Sequence, residues 1–224
     1  MSINLDNYHK IKSIADRYQA SLIAVSKTKP LSDILELHHE GQLLFGENYV
    51  QELTDKFKEA PTTIDWHFIG HLQTNKVKFI QPITKLIHGV DSEKLLLEIN
   101  KQATKNNSIS NILLQIYIAQ EESKFGLDEN ELTGILEKYS NGNYSNVRIK
   151  GLMGMASFTE DQSQIKKEFT QLKQIFDRQK SNDDFDTLSM GMSSDYQIAL
   201  DCGSTMIRIG SAFFGARNYT NTNG

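Results

Sequence analysis

The feature that most constrains this chain is a repeat: short runs of β-branched and other apolar residues recur, and a segment of helical character separates almost every pair. The runs are Ser21 to Lys27, Leu43 to Asn48, Asp65 to Gly70, Leu86 to Asp91, Asn111 to Ala119, Val147 to Ala156, Thr187 to Ser193 and Met206 to Phe214. Helical segments are expected at Asp6 to Gln19 before the first run, then at Leu31 to Glu40, Tyr49 to Lys58, Thr74 to Ile80, Ser92 to Lys105, Glu129 to Tyr139, Gln162 to Gln179 and Asp195 to Leu200. Ser92, followed by Leu95, Leu96 and Ile99, has the pattern of a capped amphipathic start. Short apolar strands alternating with helices imply a parallel sheet covered by helices, and eight is the number that closes into a (β/α)8 TIM barrel of the α/β class. An open doubly wound sheet is the competing arrangement; it normally needs fewer strands.

A chain of 224 residues can bury about 70% of its unfolded surface, enough for one substantial core. No linker-like stretch interrupts the repeat, so the reading is a single domain over 1–224, with a polar tail from about 218 to 224. Cys202 is the only cysteine, which excludes an intrachain disulfide framework and a Cys-rich zinc site and points to a reducing compartment. Lys and Arg number 24 against 28 Asp and Glu, a net charge of −4 that leaves no general basic surplus for a nucleic-acid backbone. Asn4, Asp6, His9, Lys10 and Lys12 break up the N-terminal apolar residues, so no signal-peptide core is present there. No run is long enough for a membrane-spanning helix. The expected location is the cytoplasm, with neither nucleic acid nor membrane as a partner.

In a parallel barrel the active site lies at the C-terminal ends of the strands, and unusual polar residues collect at those ends here. Lys27 closes the first run, Asn48 the second and Asp91 the fourth; His71 follows the third, and Ser193 with Ser194 ends the seventh. Arg208 interrupts the apolar eighth run, ahead of Gly210 and Ser211. An ammonium at the end of a buried strand is desolvated, which lowers a lysine's pKa and makes its neutral amine available to an aldehyde. A lysine snorkelling from the rim into water is the alternative. Ser193, Ser194, Gly210 and Ser211 offer hydroxyls and backbone N–H groups suited to a phosphate near helix starts, or simply small residues that ease packing. Arg208 can only donate hydrogen bonds, so facing a pyridine nitrogen it would keep that nitrogen unprotonated; a structural ion pair is the alternative.

Several motifs occur together in order: AVSKTKP, FGENYVQE, WHFIGHLQTNK, HGVDS, KFGL, GLMGM and SMGMSSDYQIALDCGSTMIRIGSAFFGAR. From about Leu22 to Arg217 the chain resembles the pyridoxal phosphate homeostasis proteins of the YggS type, a family similar in fold to the barrel domain of alanine racemase. The resemblance implies pyridoxal 5′-phosphate held as an internal aldimine on Lys27. It implies a phosphate held by Ser193, Ser194, Gly210 and Ser211, with Arg208 at the pyridine nitrogen, Asn48 beside the ring, and Met155 and His71 lining the pocket. It further implies a role in vitamin B6 homeostasis without turnover, with B6 vitamers as ligands and enzymes that require the cofactor as recipients. A monomer is expected.

Two other functions compete. A pyridoxal-phosphate-dependent amino-acid racemase needs an acid or base on each face of the substrate, and the second β domain that supplies one in alanine racemase is not expected after the eighth run. A Schiff-base aldolase would use Lys27 on a sugar phosphate. His67 and His71 stand four residues apart, but Gly70 marks a strand-to-helix break between them, so no metal pair is expected. Lys124 follows the fifth run, as a second aldehyde contact or as a surface lysine.

Overall fold

Eight strands hydrogen-bond in chain order, and the eighth returns to the first. The computed structural model describes residues 3–119, 125–179 and 184–215, so Lys124 and the polar tail lie outside the described residues. The strands are β1 (Ser21–Val25), β2 (Leu44–Glu47), β3 (Asp65–Phe68), β4 (Leu86–Val90), β5 (Ser110–Gln115), β6 (Val147–Met153), β7 (Thr187–Ser189) and β8 (Met206–Ile209). All pairs are parallel, and Leu22↔Ile207 and Ile23↔Arg208 close the ring. That closure excludes the open sheet. Around the barrel lie α1 (Leu5–Arg17), α2 (Leu31–His39), α3 (Val50–Glu59), α4 (Val77–Ile80) after a 3₁₀ turn at Thr74–Lys76, α5 (Glu93–Lys105), α6 (Glu129–Ser140), α7 (Gln162–Gln179), α8 (Tyr196–Asp201) and α9 (Ser211–Phe214). No helix among the described residues is long and apolar enough to cross a membrane.

The expected elements are present, but the later strands are shorter than the apolar runs that announced them. The eighth run was read as strand through Phe214; the strand stops at Ile209, and Ser211–Phe214 is a helical turn with Phe213 and Phe214 buried. This turn packs on α1, where Tyr8 meets Phe213 edge-on at 5.5 Å and Asn7 donates to the Ala212 carbonyl at 2.9 Å. An apolar run reports burial, and burial under a neighbouring helix looks the same in sequence as burial in a sheet. The seventh run ends early because Gly191 takes a φ of +96°, which turns the chain out of the strand. Gly151 in β6 has a φ of +145°, and a Cβ there would lie 1.9 Å from the Thr187 carbonyl oxygen, so only glycine lets β6 approach β7. The cap expected at Ser92 is present: its hydroxyl accepts from the Leu95 amide at 3.4 Å, and Leu95, Leu96 and Ile99 are buried.

Period-two alternation divides the barrel strands between two cores. Leu22, Phe45, Trp66, Ile87, Leu114 and Ile207 face outward and pack beneath the helices, whereas Ile23, Leu86, Leu113, Met153 and Met206 form a second cluster inside the barrel. The interior also holds His67 and His88, which sit 3% and 0% exposed with His67 Nδ1 2.9 Å from His88 Nε2. Burial pushes His67 down to about 3, and burial followed by the charge of Lys85 is the order of causes. Burial likewise holds His88 well below its ordinary value, helped by His67 and Arg208. Both rings are therefore neutral in the fold and acquire protons only on unfolding.

For such depressed groups the stability is complete above the unfolded value near 6.5 and is lost as pH falls towards about 3. Thermal melts between pH 6 and pH 4 are expected to show stability falling by about 1.0 to 1.4 kcal/mol per pH unit for each buried histidine. His67→Gln should flatten that dependence by about half; an unchanged slope would show that the pair does not titrate on unfolding.

Candidate functional site at the barrel mouth

A cavity of about 450 Å³ opens at the C-terminal ends of the strands, and Lys27, Asn48, Met155, Ser193, Ser194, Arg208, Gly210 and Ser211 all line it. Eight of the nine residues singled out in the sequence thus meet in one place. The β1–β8 register explains part of this: Ile23 pairs with Arg208 and Ala24 with Ile209, so the segments bearing Lys27 and Gly210 leave the sheet side by side. His71 is the ninth, and it lies in an adjoining recess lined by Asn48, Tyr49, Gln73 and Lys76. Its Nδ1 is 3.1 Å from an Asp91 oxygen, and its ring stacks on Phe125 at 4.5 Å. His67 and His71 therefore occupy different environments, one inside the barrel and one at its rim. Among the described residues no cluster of three potential metal ligands exists.

Arg208 is 4% exposed, and the protein solvates its guanidinium. Nη1 donates to the Ser189 carbonyl at 2.9 Å and to the Ser189 hydroxyl at 2.6 Å, while Nη2 donates to the Gly154 carbonyl at 3.2 Å. Those bonds use three of the five N–H groups and leave one on Nη2 and one on Nε. Burial lowers the guanidinium to about 10, against the opposing charge of Asp195, so it remains a cation at neutral pH.

Lys27 follows the end of β1 by two residues and is half-buried. Its neighbours on both sides are fixed. The Ser26 hydroxyl donates to Glu47 Oε1 at 2.6 Å, and Lys56 Nζ donates to the Ser26 carbonyl at 2.9 Å and to Glu47 Oε1 at 2.7 Å. On the other side Thr28 adopts a φ of +63°, a strained conformation for a β-branched residue, and its amide donates to Glu52 Oε1 at 2.6 Å. Lys56 also reaches Glu52 at 2.6 Å, so one buried cation ties both flanks of Lys27 to β2 and α3. Burial pushes the Glu47 carboxyl up, and the charge of Lys56 pulls it back. Sequence reading missed this cluster, although Glu52 and Lys56 stand at the i,i+4 spacing that signals a helical ion pair. It also missed Ser189, which looks like an ordinary strand residue.

Asn48 is the remaining wall. A Cβ on Gly70 would lie 2.4 Å from the Asn48 carbonyl oxygen, so the glycine of the IGH segment is what lets the end of β3 pack against the backbone of Asn48. Asn48 Oδ1 and Glu47 Oε2 are buried polar atoms without a hydrogen-bond partner among the described residues. Across the cavity the Gly210 amide donates to the Ser193 hydroxyl at 3.3 Å, linking the two serine-bearing turns. The helices that follow these turns have six and four residues, so the donors are local hydroxyls and amides rather than the ends of long helix dipoles.

Known proteins resemble this chain in sequence and fold. Residues 4–218 match the family model described as alanine racemase, N-terminal domain. The pyridoxal phosphate homeostasis protein of Pasteurella multocida (strain Pm70) is 40% identical over 205 residues, covering 89% of this chain and 87% of the relative. The protein of the same name from Escherichia coli (strain K12) is 39% identical over 210 residues, covering 90% and 88%. Among solved structures, PipY of Synechococcus elongatus PCC7942 with PLP bound superposes with a TM-score of 0.82 at 30% identity, covering 93% of this chain and all of that one. Alanine racemase from Corynebacterium glutamicum shares the fold alone, at a TM-score of 0.70 and 15% identity over 62% of its own length. By fold, by near-complete coverage and by sequence, the chain belongs to the pyridoxal phosphate homeostasis protein family.

Proposed function

We propose that this chain binds pyridoxal 5′-phosphate at the barrel mouth with Lys27 as the point of attachment, and that it serves vitamin B6 homeostasis in the cytoplasm as a carrier rather than a catalyst. The observation that carries this reading is the convergence of the Lys27 amine, one buried guanidinium and three serine hydroxyls on a single cavity. Its volume, about 450 Å³, lies within the usual range for cofactor pockets. The family supports it: relatives bear the homeostasis name, and PipY was solved with PLP bound. The ligands are B6 vitamers, the recipients are enzymes that require the cofactor, and the working unit is a single-domain monomer.

When bound, pyridoxal 5′-phosphate supplies an aldehyde that condenses reversibly with a primary amine and a pyridine ring that withdraws electrons. Lys27 offers the amine. The two N–H groups left on Arg208 would hold the ring nitrogen and, being donors only, would leave it unprotonated. Ser193, Ser194 and Ser211, with the backbone at Gly210, take the phosphate. Asn48 would stand beside the ring; its Oδ1, without a partner among the described residues, is the kind of buried acceptor that a ligand satisfies. Met155 closes the pocket, and His71 contributes through the adjoining recess.

Racemisation is the second reading, and the cavity wall argues against it. Among the described residues that line the cavity, the titratable side chains are Lys27, Lys29 and Arg208. Lys29 Nζ donates to the Phe214 carbonyl at 2.6 Å. An arginine is a poor proton acceptor, and among the described residues no carboxylate, histidine or tyrosine lines the cavity to serve an opposite face. Incubation with a panel of amino acids in D₂O is therefore expected to give negligible deuterium at the α carbon; sustained incorporation would establish the racemase instead.

Freshly purified protein should show an absorbance band of bound cofactor that borohydride fixes on the peptide bearing Lys27. Lys27→Ala should abolish both signals while the apo melting temperature stays within about 2 °C, as expected away from the core. A full band in that variant would refute the attachment. Separately, the paired change Ser193→Ala with Ser194→Ala should weaken pyridoxal phosphate binding by about 10- to 100-fold, the weight of one or two hydrogen bonds to a charged group. Pyridoxal, which lacks the phosphate, should bind both proteins alike; an equal loss for the two vitamers would place the phosphate elsewhere.

A further inference from the structure

The barrel interior contains a polar chain that no step above requires. Arg208 Nη1 donates to the Ser189 hydroxyl at 2.6 Å, Ser189 Oγ is 3.1 Å from His88 Nδ1, and His88 Nε2 is 2.9 Å from His67 Nδ1. The direction of these bonds follows from the chemistry of the first member. A guanidinium has no acceptor, so the Ser189 oxygen accepts from it, and the Ser189 hydrogen is free to be donated onward. The acceptor in reach is His88 Nδ1, which must then carry no proton. His88 in consequence bears its proton on Nε2 and donates to His67 Nδ1. Both rings are neutral in this arrangement, and every bond points away from the guanidinium.

Around this chain the interior is apolar, built from Ile23, Leu86, Leu113, Met153 and Met206. Two aliphatic side chains at positions 67 and 88 would fill the same volume with no polar groups to desolvate. What the imidazoles add is a fixed acceptor for the Ser189 hydroxyl, and Ser189 alone receives both N–H groups of Arg208 Nη1. Holding Nη1 there and Nη2 on Gly154 fixes the plane of the guanidinium, and with it the direction of the two donors left for the cavity.

We propose that Ser189, His88 and His67 are positioning residues that aim Arg208 at the ring nitrogen of the bound cofactor. The proposal rests on the preceding assignment of Arg208 to that nitrogen.

The test compares two ligands, pyridoxal 5′-phosphate and its analogue with CH in place of the ring nitrogen, on the wild-type chain and on Ser189→Ala, His88→Leu and His88→Gln. Dissociation constants, the spectrum of the bound chromophore and the apo melting temperature are measured for each. The wild-type chain should prefer the cofactor over the analogue. Ser189→Ala and His88→Leu should each lose about tenfold in affinity for the cofactor, the weight of one hydrogen bond to a charged group, with little change for the analogue and a displaced absorbance maximum. Glutamine at 88 can accept from Ser189 and donate to His67, so His88→Gln should restore most of the preference and the spectrum. If Ser189→Ala and His88→Leu, or Ser189→Ala alone where His88→Leu fails to fold, keep the wild-type ratio of the two constants, the residues merely fill the core and the proposal is wrong. A wild-type chain that binds both ligands equally, or neither, overturns the assignment of Arg208 itself and is distinguishable from that outcome.

Discussion

A guanidinium held inside a β-barrel has to be solvated by the protein, and much of this molecule's mouth is arranged around that requirement. Removing an ion from water costs several kcal/mol even after the surroundings relax, so Arg208 persists only with acceptors placed around it. Those acceptors are not carboxylates. They are two carbonyl oxygens and a hydroxyl, from the ends of β6 and β7. The acceptors it bonds are neutral, and the buried carboxylate whose charge reaches it is that of Asp195, so the guanidinium stays cationic at the cavity wall.

The opposite wall follows a different rule. Lys27 is carried on a connection rather than a strand, and connections are ordinarily the mobile part of a barrel. Here Lys56, Glu47 and Glu52 hold both flanks, through Ser26 and Thr28, to elements already fixed by the core. Removing one partner of such a buried pair typically costs about 3–5 kcal/mol, which measures how firmly the arrangement resists rearrangement. The two walls then meet through backbone geometry. A Cβ on Gly210 would lie 3.1 Å from Val25, so the turns bearing Lys27 and Ser211 are in close contact at the rim. The Lys27 turn and the Ser211 turn are thus held against each other before any ligand arrives, which would lower the ordering cost of binding.

Much of this was legible in the sequence because the signals were of two robust kinds. Eight apolar runs separated by helices specify a closed parallel sheet, and polar residues at the ends of those runs specify a rim. The strand ends were harder to place: Phe213 and Phe214 continue an apolar run, yet they are buried under α1 instead of in the sheet. The supports behind the site were harder still. Ser189, Gly154 and Glu47 act through contacts between strands that are distant in the chain, and no spacing along one element announces such a contact. His67 was visible as half of an i,i+4 pair with His71, but its partner is His88, one strand over. Helical spacing was the wrong ruler for a residue on a strand, where the neighbour is set by register.

Under the proposed function, the same arginine bears on why a bound aldehyde would suit storage better than turnover. A pyridine ring stabilises a carbanion best when its nitrogen is protonated, and an acidic partner favours that state. A cation that can only donate a hydrogen bond opposes it. The cavity wall reinforces the effect, since Lys27, Lys29 and Arg208 are its titratable side chains among the described residues and Lys29 is engaged with the Phe214 carbonyl. Condensation with Lys27 needs only an amine, an aldehyde and water, all of which an open mouth allows. Abstraction of a substrate proton needs an electron sink and a base on the correct face. Under the proposed function, the geometry would supply what reversible capture demands and withhold an acidic partner for the ring nitrogen, so retention and release of the aldehyde are the processes that reading favours.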